Sequence, residues 1–278
     1  MACSPLEYYR CMHTAIVITG HSRGLGAALM QQATAHGFSA LGLSRRTTGL
    51  PLLEALLAND STGRPPAGAN VARVSEQPID ISDAKAVAAF ISGPGLPEFF
   101  AGADRVLLIN NAGLLSPIGP VGRLSSDAIY SSVAANVSAA IALTDAFLKA
   151  IPASAVDRRV VHVSSGAARS AYAGWNVYCA TKAALDHHAR AVQLEAQEQG
   201  PARGLRICSL APGVIDTEMQ DQVRAARPED FPMRPKFDDL KAQGALAAPT
   251  DVAKRLLTYM LSESFGSEPV ADLRSISL

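Results

Sequence analysis

The sequence has few cysteines and no excess charge of either sign. Its four cysteines, at positions 3, 11, 179 and 208, form no CxxC pair and no metal-ligand spacing with the six histidines. This usage predicts reduced thiols in a cytoplasmic protein, without a disulfide framework or a metal site. Lysine plus arginine and aspartate plus glutamate each total 25, so the basic surplus typical of nucleic-acid and membrane-surface binders is absent.

Long uninterrupted apolar runs are also missing. The longest apolar stretch, 133–151, is broken by Asn136, Asp145 and Lys149, and this polarity predicts no membrane span. The first residues lack the charged, apolar and small-residue regions of a secretory signal. We expect 1–12 to be a disordered leader, or Met12 to be the natural start, ahead of one domain over 13–278.

The sequence instead alternates strand and helix patterns. Apolar runs rich in β-branched residues predict buried parallel strands at 15–20, 38–44, 105–113, 158–165 and 205–213. Helical patterns cover 25–37, 82–92, 125–151, 176–200 and 249–261, with Ser82 or Asp83 as an N-cap and Gly37 and Gly200 as C-terminal stops. The fold class predicted is α/β: a single-domain Rossmann fold, with a doubly wound parallel sheet of about seven strands and helices on both faces.

One long proline-rich stretch, 227–237, interrupts this alternation and reads as a loop. Loops of that length in compact domains commonly serve as lids or recognition segments. We therefore expect a substrate lid at about 216–247.

The stretch TGHSRGLG, residues 19–26, follows the first predicted strand and opens a helix. Glycines at such a turn allow a pyrophosphate to approach backbone N–H groups at the helix N-terminus. A simple tight turn is the alternative, because glycine turns are common.

The second predicted strand ends without the acidic residue that usually binds the ribose hydroxyl of NAD. Ser44, Arg45 and Arg46 stand there, and Arg23 lies in the glycine loop. Because guanidinium groups suit bidentate binding of phosphate, this favours NADP over NAD. The alternative is that these arginines are solvated surface charge.

Tyr178 and Lys182 are four residues apart on a predicted helix, so their side chains share one face. A phenol has a pKa near ~10, and a nearby ammonium and a cationic nicotinamide ring both favour its ionised form. Lowering the pKa by roughly three units corresponds to about 4 kcal/mol. We expect Tyr178 to be a general acid with a lowered pKa; a core tyrosine beside a lysine that reaches solvent is the alternative.

Together these residues resemble the short-chain dehydrogenase/reductase family. The resemblance rests on TGHSRGLG, NNAG (110–113), Asn136, the serines 164–165, YCATK (178–182) and APGVIDT (211–217), and it runs from about 13 to 274. It implies that Ser165 hydrogen-bonds a substrate carbonyl, Tyr178 donates a proton, and Lys182 binds the nicotinamide ribose. Asn136 would hold a water that extends a proton relay to Lys182.

The resemblance also implies a set of contacts to NADP(H). These comprise the glycine loop, the end of the second strand, the adenine pair, the NNAG segment and the turn beside the nicotinamide. The residues are Gly20, Ser22, Arg23, Gly24, Leu25, Gly26, Ser44, Arg45, Arg46, Asp80, Ile81, Asn110, Asn111, Ala112, Gly113, Tyr178, Lys182, Pro212, Gly213, Val214 and Thr217.

Within the family, the segments 174–191 and 211–220 look like the sepiapterin reductase and benzil reductase branch, which implies reduction of a ketone beside a second carbonyl. Asp272 resembles the C-terminal aspartate that anchors pterins, or is an ordinary polar residue of the last strand. Trp175, the only tryptophan, would wall the pocket or pack under the lid. The substrate pocket predicted comprises Ser165, Trp175, Tyr178, Met219 and Asp272.

These inferences favour NADPH-dependent hydride transfer to a small carbonyl compound, with no nucleic-acid or membrane partner. An NADP-binding regulatory protein and an NADP-dependent secondary-alcohol dehydrogenase are the alternatives. The resemblance implies a homodimer or homotetramer that pairs through the helices 125–151 and 176–200. His187 and His188, on the second helix, read as surface or interface residues.

Overall fold

A computed structural model describes residues 12–48, 72–151, 155, 157–198 and 204–278. Within them, one sheet has the strand order β3-β2-β1-β4-β5-β6-β7, and every neighbouring pair is parallel. The strands are β1 (Thr14–Thr19), β2 (Ser39–Ser44), β3 (Val74–Pro78), β4 (Arg105–Asn110), β5 (Asp157–Val163), β6 (Leu205–Ala211) and β7 (Val270–Asp272). The predicted seven-stranded doubly wound fold is confirmed, whereas residues 1–11 of the predicted leader (1–12) and the helix stop at Gly200 lie outside the described residues.

Among the described residues, helices connect every pair of successive strands except β2 and β3. They are α1 (Gly24–Ala35), α2 (Ala84–Ser92), α3 (Gly95–Phe100), α4 (Ser126–Val133), α5 (Ala139–Ala150), α6 (Asn176–Glu198), α7 (Glu218–Ala225), α8 (Arg234–Ala242) and α9 (Pro249–Leu261). A π-helical turn, Ala134–Ser138, joins α4 to α5. Asp83 caps α2 by accepting hydrogen bonds from the backbone N–H groups of Lys85 and Ala86, and Gly37 takes a φ of +72° just after α1, as the sequence predicts.

Alternate residues of the central strands point to opposite faces of the sheet, as strand geometry requires. Ile16 and Ile18 of β1 pack with α1 and α9, and Ala15 and Val17 pack on the α2–α3–α5 side. Both faces are therefore covered, which explains why the strands read as continuous apolar runs.

The continuous helix Ser126–Ala150 is long and apolar enough to cross a membrane, with a mean hydropathy of 1.3. Half of its most apolar window is buried inside the structure. Leu143 and Phe147 pack into the core beside the sheet, so core packing accounts for its apolar character.

The proline-rich stretch differs from its prediction as one loop. Helix α8 begins at Arg234 with Pro235 in its first turn, where proline's missing N–H breaks no helical hydrogen bond. The segment 216–247 is thus two short helices, α7 and α8, with a connection between them.

Candidate active site

The predicted site residues gather at the carboxyl edge of the sheet. Because all strands are parallel, the segments after β1, β2, β4, β5 and β6 meet along one edge. In open α/β sheets this edge carries the ligand crevice. It here brings together the glycine loop, the arginines, NNAG, Ser165 and the turn after β6.

The glycine loop is packed too closely for side chains. A Cβ on Gly26 would lie 2.1 Å from the carbonyl oxygen of Gly20, and a Cβ on Gly20 would lie 2.9 Å from the Cα of Ala112. Gly24 opens α1 with a φ of +53°, and Arg23 gives the helix no side-chain cap. The first N–H groups of α1 thus have no side-chain cap and follow a glycine-rich loop, an arrangement that fits a pyrophosphate.

Beside this loop, Arg45 and Arg46 are exposed at the end of β2, and the Ser44 hydroxyl donates to the Arg46 carbonyl. Asp80 accepts from the Ser82 N–H and hydroxyl at 2.9 and 2.7 Å. Burial works to raise the pKa of Asp80, but these bonds and the nearby Arg45 charge hold it below its usual value.

Arg23 of the glycine loop instead forms an ion pair with Glu218 of α7. The sequence does not predict this partner, which links the glycine loop to the lid segment.

The NNAG segment ties β4 to the glycine loop. The Asn111 side-chain amide donates to the carbonyls of Thr19 and Gly20 at 2.8 and 3.2 Å, and the Ala112 N–H donates to the Thr19 hydroxyl at 2.9 Å. The Asn110 side chain turns into the core and donates to the carbonyl of Ala140 on α5. Asn110 therefore supports the sheet from within.

The three central catalytic candidates lie together. Tyr178 and Lys182 are buried on α6, with the Lys182 Nζ 5.7 Å from the centre of the Tyr178 ring. The Ser165 hydroxyl hydrogen-bonds the Tyr178 phenol and accepts the Ala167 N–H at 3.1 Å. The Lys182 ammonium donates to the carbonyl of Val163 at 2.8 Å.

The protein groups alone shift the Tyr178 pKa opposite to the predicted direction. Burial raises the pKa of Tyr178 to about 12, and the Ser165 hydrogen bond offsets only part of this rise. Burial also lowers the pKa of Lys182 to about 8, although Asp186 works against that change. Both charged forms lose hydration in the same buried site, and this loss outweighs their proximity. The phenol is consequently held in its protonated form.

Asn136 lies buried in the π-helical turn, a distortion common at functional sites. Its carbonyl accepts the Leu114 N–H at 2.7 Å, and its amide donates to the Leu114 carbonyl at 2.8 Å and the Thr181 hydroxyl at 3.1 Å. Asn136 thereby fixes the segment after NNAG against the catalytic helix. Its relay role through a water stays a prediction.

The turn after β6 closes the other side of the crevice. Gly213 has a φ of +91° and lies against the Arg274 side chain, and Thr217 packs against Gly24 of the glycine loop. Asp272 forms a two-pronged ion pair with Arg274 at 2.9 and 2.7 Å. That bond lowers the pKa of Asp272 and engages the carboxylate predicted to bind substrate.

An aromatic cluster joins the catalytic helix to the lid. Trp175 stacks on Phe231 with ring centres 4.4 Å apart and meets Tyr178 edge-on at 5.6 Å. Phe237 contacts both Trp175 and Phe231, and Met219 packs at the edge of the cluster. Trp175 therefore packs beside Tyr178 and under the predicted lid. The sequence signal for this contact is the presence of aromatic residues, Phe231 and Phe237, inside the proline-rich stretch.

Two buried polar groups near Lys182 escape sequence reasoning. Asp186 accepts from the hydroxyls of Ser164 and Ser209 at 2.6 and 2.7 Å and from Arg169 at 3.0 Å. His188, expected at the surface or in an interface, is partly buried, and its Nδ1 lies 3.0 Å from the Nε2 of buried His162.

A doubly wound sheet whose glycine loop lies at the carboxyl edge beside Ser165 and the buried Tyr178 and Lys182 is typical of a nicotinamide-dependent oxidoreductase. The chain belongs to the short-chain dehydrogenase family, whose model ("short chain dehydrogenase") matches residues 14–228.

Among curated proteins, the chain is 29% identical over 265 residues to benzil reductase ((S)-benzoin forming) of Bacillus cereus, covering 90% of this chain and 95% of that protein. It is 33% identical over 264 residues to sepiapterin reductase of Bos taurus, covering 91% and 92%. A solved short-chain dehydrogenase/reductase from Burkholderia vietnamiensis shares 41% identity with a TM-score of 0.62, covering 95% and 99%. The chain is therefore an oxidoreductase with reductases among its relatives.

Proposed function

We propose that the protein is an NADPH-dependent carbonyl reductase with Tyr178 as its general acid. The observation that carries this proposal is the geometry of three residues: the Tyr178 phenol is hydrogen-bonded to Ser165, and the Lys182 Nζ lies 5.7 Å from the centre of its ring. Reduction needs a protonated acid at the start of each turnover, whereas alcohol oxidation needs the phenolate. The benzil reductase and sepiapterin reductase among the relatives favour reduction over the secondary-alcohol dehydrogenase alternative.

In the proposed reaction, Ser165 and Tyr178 donate hydrogen bonds to the substrate carbonyl oxygen and stabilise the negative charge that develops there. Tyr178 then transfers its proton to that oxygen. Lys182, held by the Val163 carbonyl, faces the same pocket and orients the nicotinamide ribose. NADPH would supply the hydride.

Two features support NADPH as the cofactor. The uncapped start of α1 and the three crowded glycines fit the pyrophosphate, and Arg45 and Arg46 are exposed where a 2′-phosphate would lie. The predicted contacts of Ser22, Leu25, Ile81 and Val214 belong to the same proposal.

The relatives supply a substrate class. Benzil is a 1,2-diketone and sepiapterin carries a side-chain ketone, so we infer a ketone beside a second carbonyl. The aromatic cluster around Trp175 and Phe231 offers an apolar wall to such a planar substrate.

We also infer a homodimer or homotetramer in the cytoplasm. Tyr130 and Val133 on α4, Ile141 on α5 and Leu194 on α6 are exposed apolar residues, with Tyr130 74% exposed. They lie on the two helices expected to pair, where contact between copies of the chain would bury them. Cys179 and Cys208 are free thiols, in accord with a reducing compartment.

The test compares wild type with Tyr178→Phe in an assay of NADPH oxidation with diketones, quinones, aldehydes and pteridines. We expect Tyr178→Phe to lose about 10²–10⁴-fold in kcat, the range that general acid catalysis supplies, while NADPH affinity is retained. Tyr172→Phe, in the same aromatic cluster, is the matched control and keeps its turnover. Full activity of Tyr178→Phe would refute the assignment of the acid, and NADPH binding by an inactive wild type would favour the regulatory protein.

A further inference from the structure

Buried His21 and partly buried Glu76 form a pair beside the glycine loop, at the carboxyl edge of the sheet. His21 directly follows Gly20 in the glycine loop, and its Nε2 lies 2.8 Å from the carboxylate of Glu76 on β3. The same carboxylate accepts the Thr48 N–H at 3.1 and 3.0 Å and the Thr48 hydroxyl. One side chain thus holds two segments that are far apart in sequence.

The site is built around the histidine. A Cβ on Gly42 would lie 2.4 Å from the His21 ring, so glycine in the middle of β2 is what admits the imidazole. His21 is 1% exposed, and its Nδ1 has no hydrogen-bond partner among the described residues. The glycine at position 42 and the His21 ring therefore fit each other, and this packing holds the His21 Nε2 beside Glu76.

The two segments that Glu76 joins are both parts of the proposed cofactor cradle. His21 belongs to the pyrophosphate loop, and Thr48 ends the segment that carries Arg45 and Arg46. Burial works to raise the pKa of Glu76, but the bonds from Thr48 and His21 outweigh it and lower the pKa. The ionised carboxylate is thereby engaged with Thr48 and His21.

We propose that Glu76, backed by His21, is a positioning residue that holds the arginine segment in register with the glycine loop and so sets the preference for NADPH over NADH. This inference rests on the proposed cofactor and deepens it. Without the Glu76 carboxylate, Thr48 loses its hydrogen bonds, and Arg45 and Arg46 are no longer held in one position. Recognition of the phosphate group is weakened as a result. NADH, which lacks that group, is little affected.

The experiment measures KM and kcat for NADPH and NADH in wild type, Glu76→Ala, Glu76→Gln and the control Gln77→Ala, the exposed neighbour on β3. We expect Glu76→Ala to raise the NADPH KM by about tenfold, the equivalent of one charge-assisted hydrogen bond, with kcat and the NADH KM nearly unchanged. Glu76→Gln keeps an acceptor for the Thr48 N–H and should recover most of the preference. Gln77→Ala should match wild type.

Thr48→Ala, an exposed substitution, gives a smaller loss of preference in the same direction and serves if Glu76→Ala does not fold. An unchanged NADPH-to-NADH ratio in folded Glu76→Ala, or in Thr48→Ala if only that variant folds, overturns the inference while leaving NADPH as the cofactor. A wild type that does not prefer NADPH instead refutes the cofactor proposal itself.

Discussion

The buried histidine of β5 predicts how stability depends on pH. His162 is fully buried, and burial, with smaller contributions from His188 and Lys182, lowers its pKa to about 3. Its Nδ1 accepts from the Asn110 amide at 3.1 Å, so Nε2 carries the proton and donates to His188. Both nitrogens are therefore used by the neutral ring.

The direction and size of this pH dependence follow from the difference in the pKa of His162 between the folded and unfolded states. An unfolded histidine has a pKa near ~6.5, so below that pH the unfolded state binds a proton that the folded state rejects. The stabilisation is complete above the unfolded pKa and is lost as the pH falls towards about 3. His162 alone removes about 1.4 kcal/mol per pH unit, or about 2 kcal/mol between about pH 5.5 and about pH 4.

The assay is urea unfolding across this range for wild type, His162→Gln and the control His187→Gln, which alters an exposed histidine of α6. Glutamine can accept from Asn110 and donate to His188 without titrating. The wild-type stability should fall more steeply than that of His162→Gln by the stated amount, and His187→Gln should follow wild type. Parallel curves for wild type and His162→Gln would refute the depressed pKa.

Two further predictions concern the cofactor and the lid. Arg45→Asp should raise the NADPH KM by about a hundredfold and leave the NADH KM within a few-fold, since it removes a phosphate ligand and adds repulsion; equal losses in steady-state kinetics would dismiss phosphate recognition. Phe231→Ala removes a fully buried ring stacked on Trp175, which should lower the free energy of unfolding by about 3–5 kcal/mol. It should raise the substrate KM and speed proteolysis of 216–247 while NADPH affinity holds; a wild-type proteolysis rate would show that this stack does not hold the lid.

The sheet could be predicted because its central strands are buried on both faces and therefore apolar throughout. β3 could not, since VSEQP at the sheet edge is mostly exposed and has no apolar run. Helix spacing likewise predicts that Tyr178 and Lys182 share a face, which the structure bears out.

Properties that depend on tertiary burial were beyond sequence reasoning. The direction of the Tyr178 pKa shift is set by desolvation, which no spacing encodes. His21 and Glu76 are 55 residues apart and belong to no common period; only Gly42, a glycine within a buried strand, signals that something approaches there. Phe231 meets Trp175 because the chain folds back over the site.

Burial and a nearby carboxylate act in opposite directions on the pKa of Lys182, the proposed catalytic lysine. Desolvation lowers the pKa of Lys182 to about 8, so its ammonium loses its proton not far above neutral pH. Asp186, one helical turn further along α6, works against that change. Asp186 accepts hydrogen bonds from Ser164 and Arg169, which lie between β5 and α6, and from Ser209 of β6. These hydrogen bonds hold the Asp186 carboxylate one helical turn from Lys182, where it favours the charged form of the ammonium.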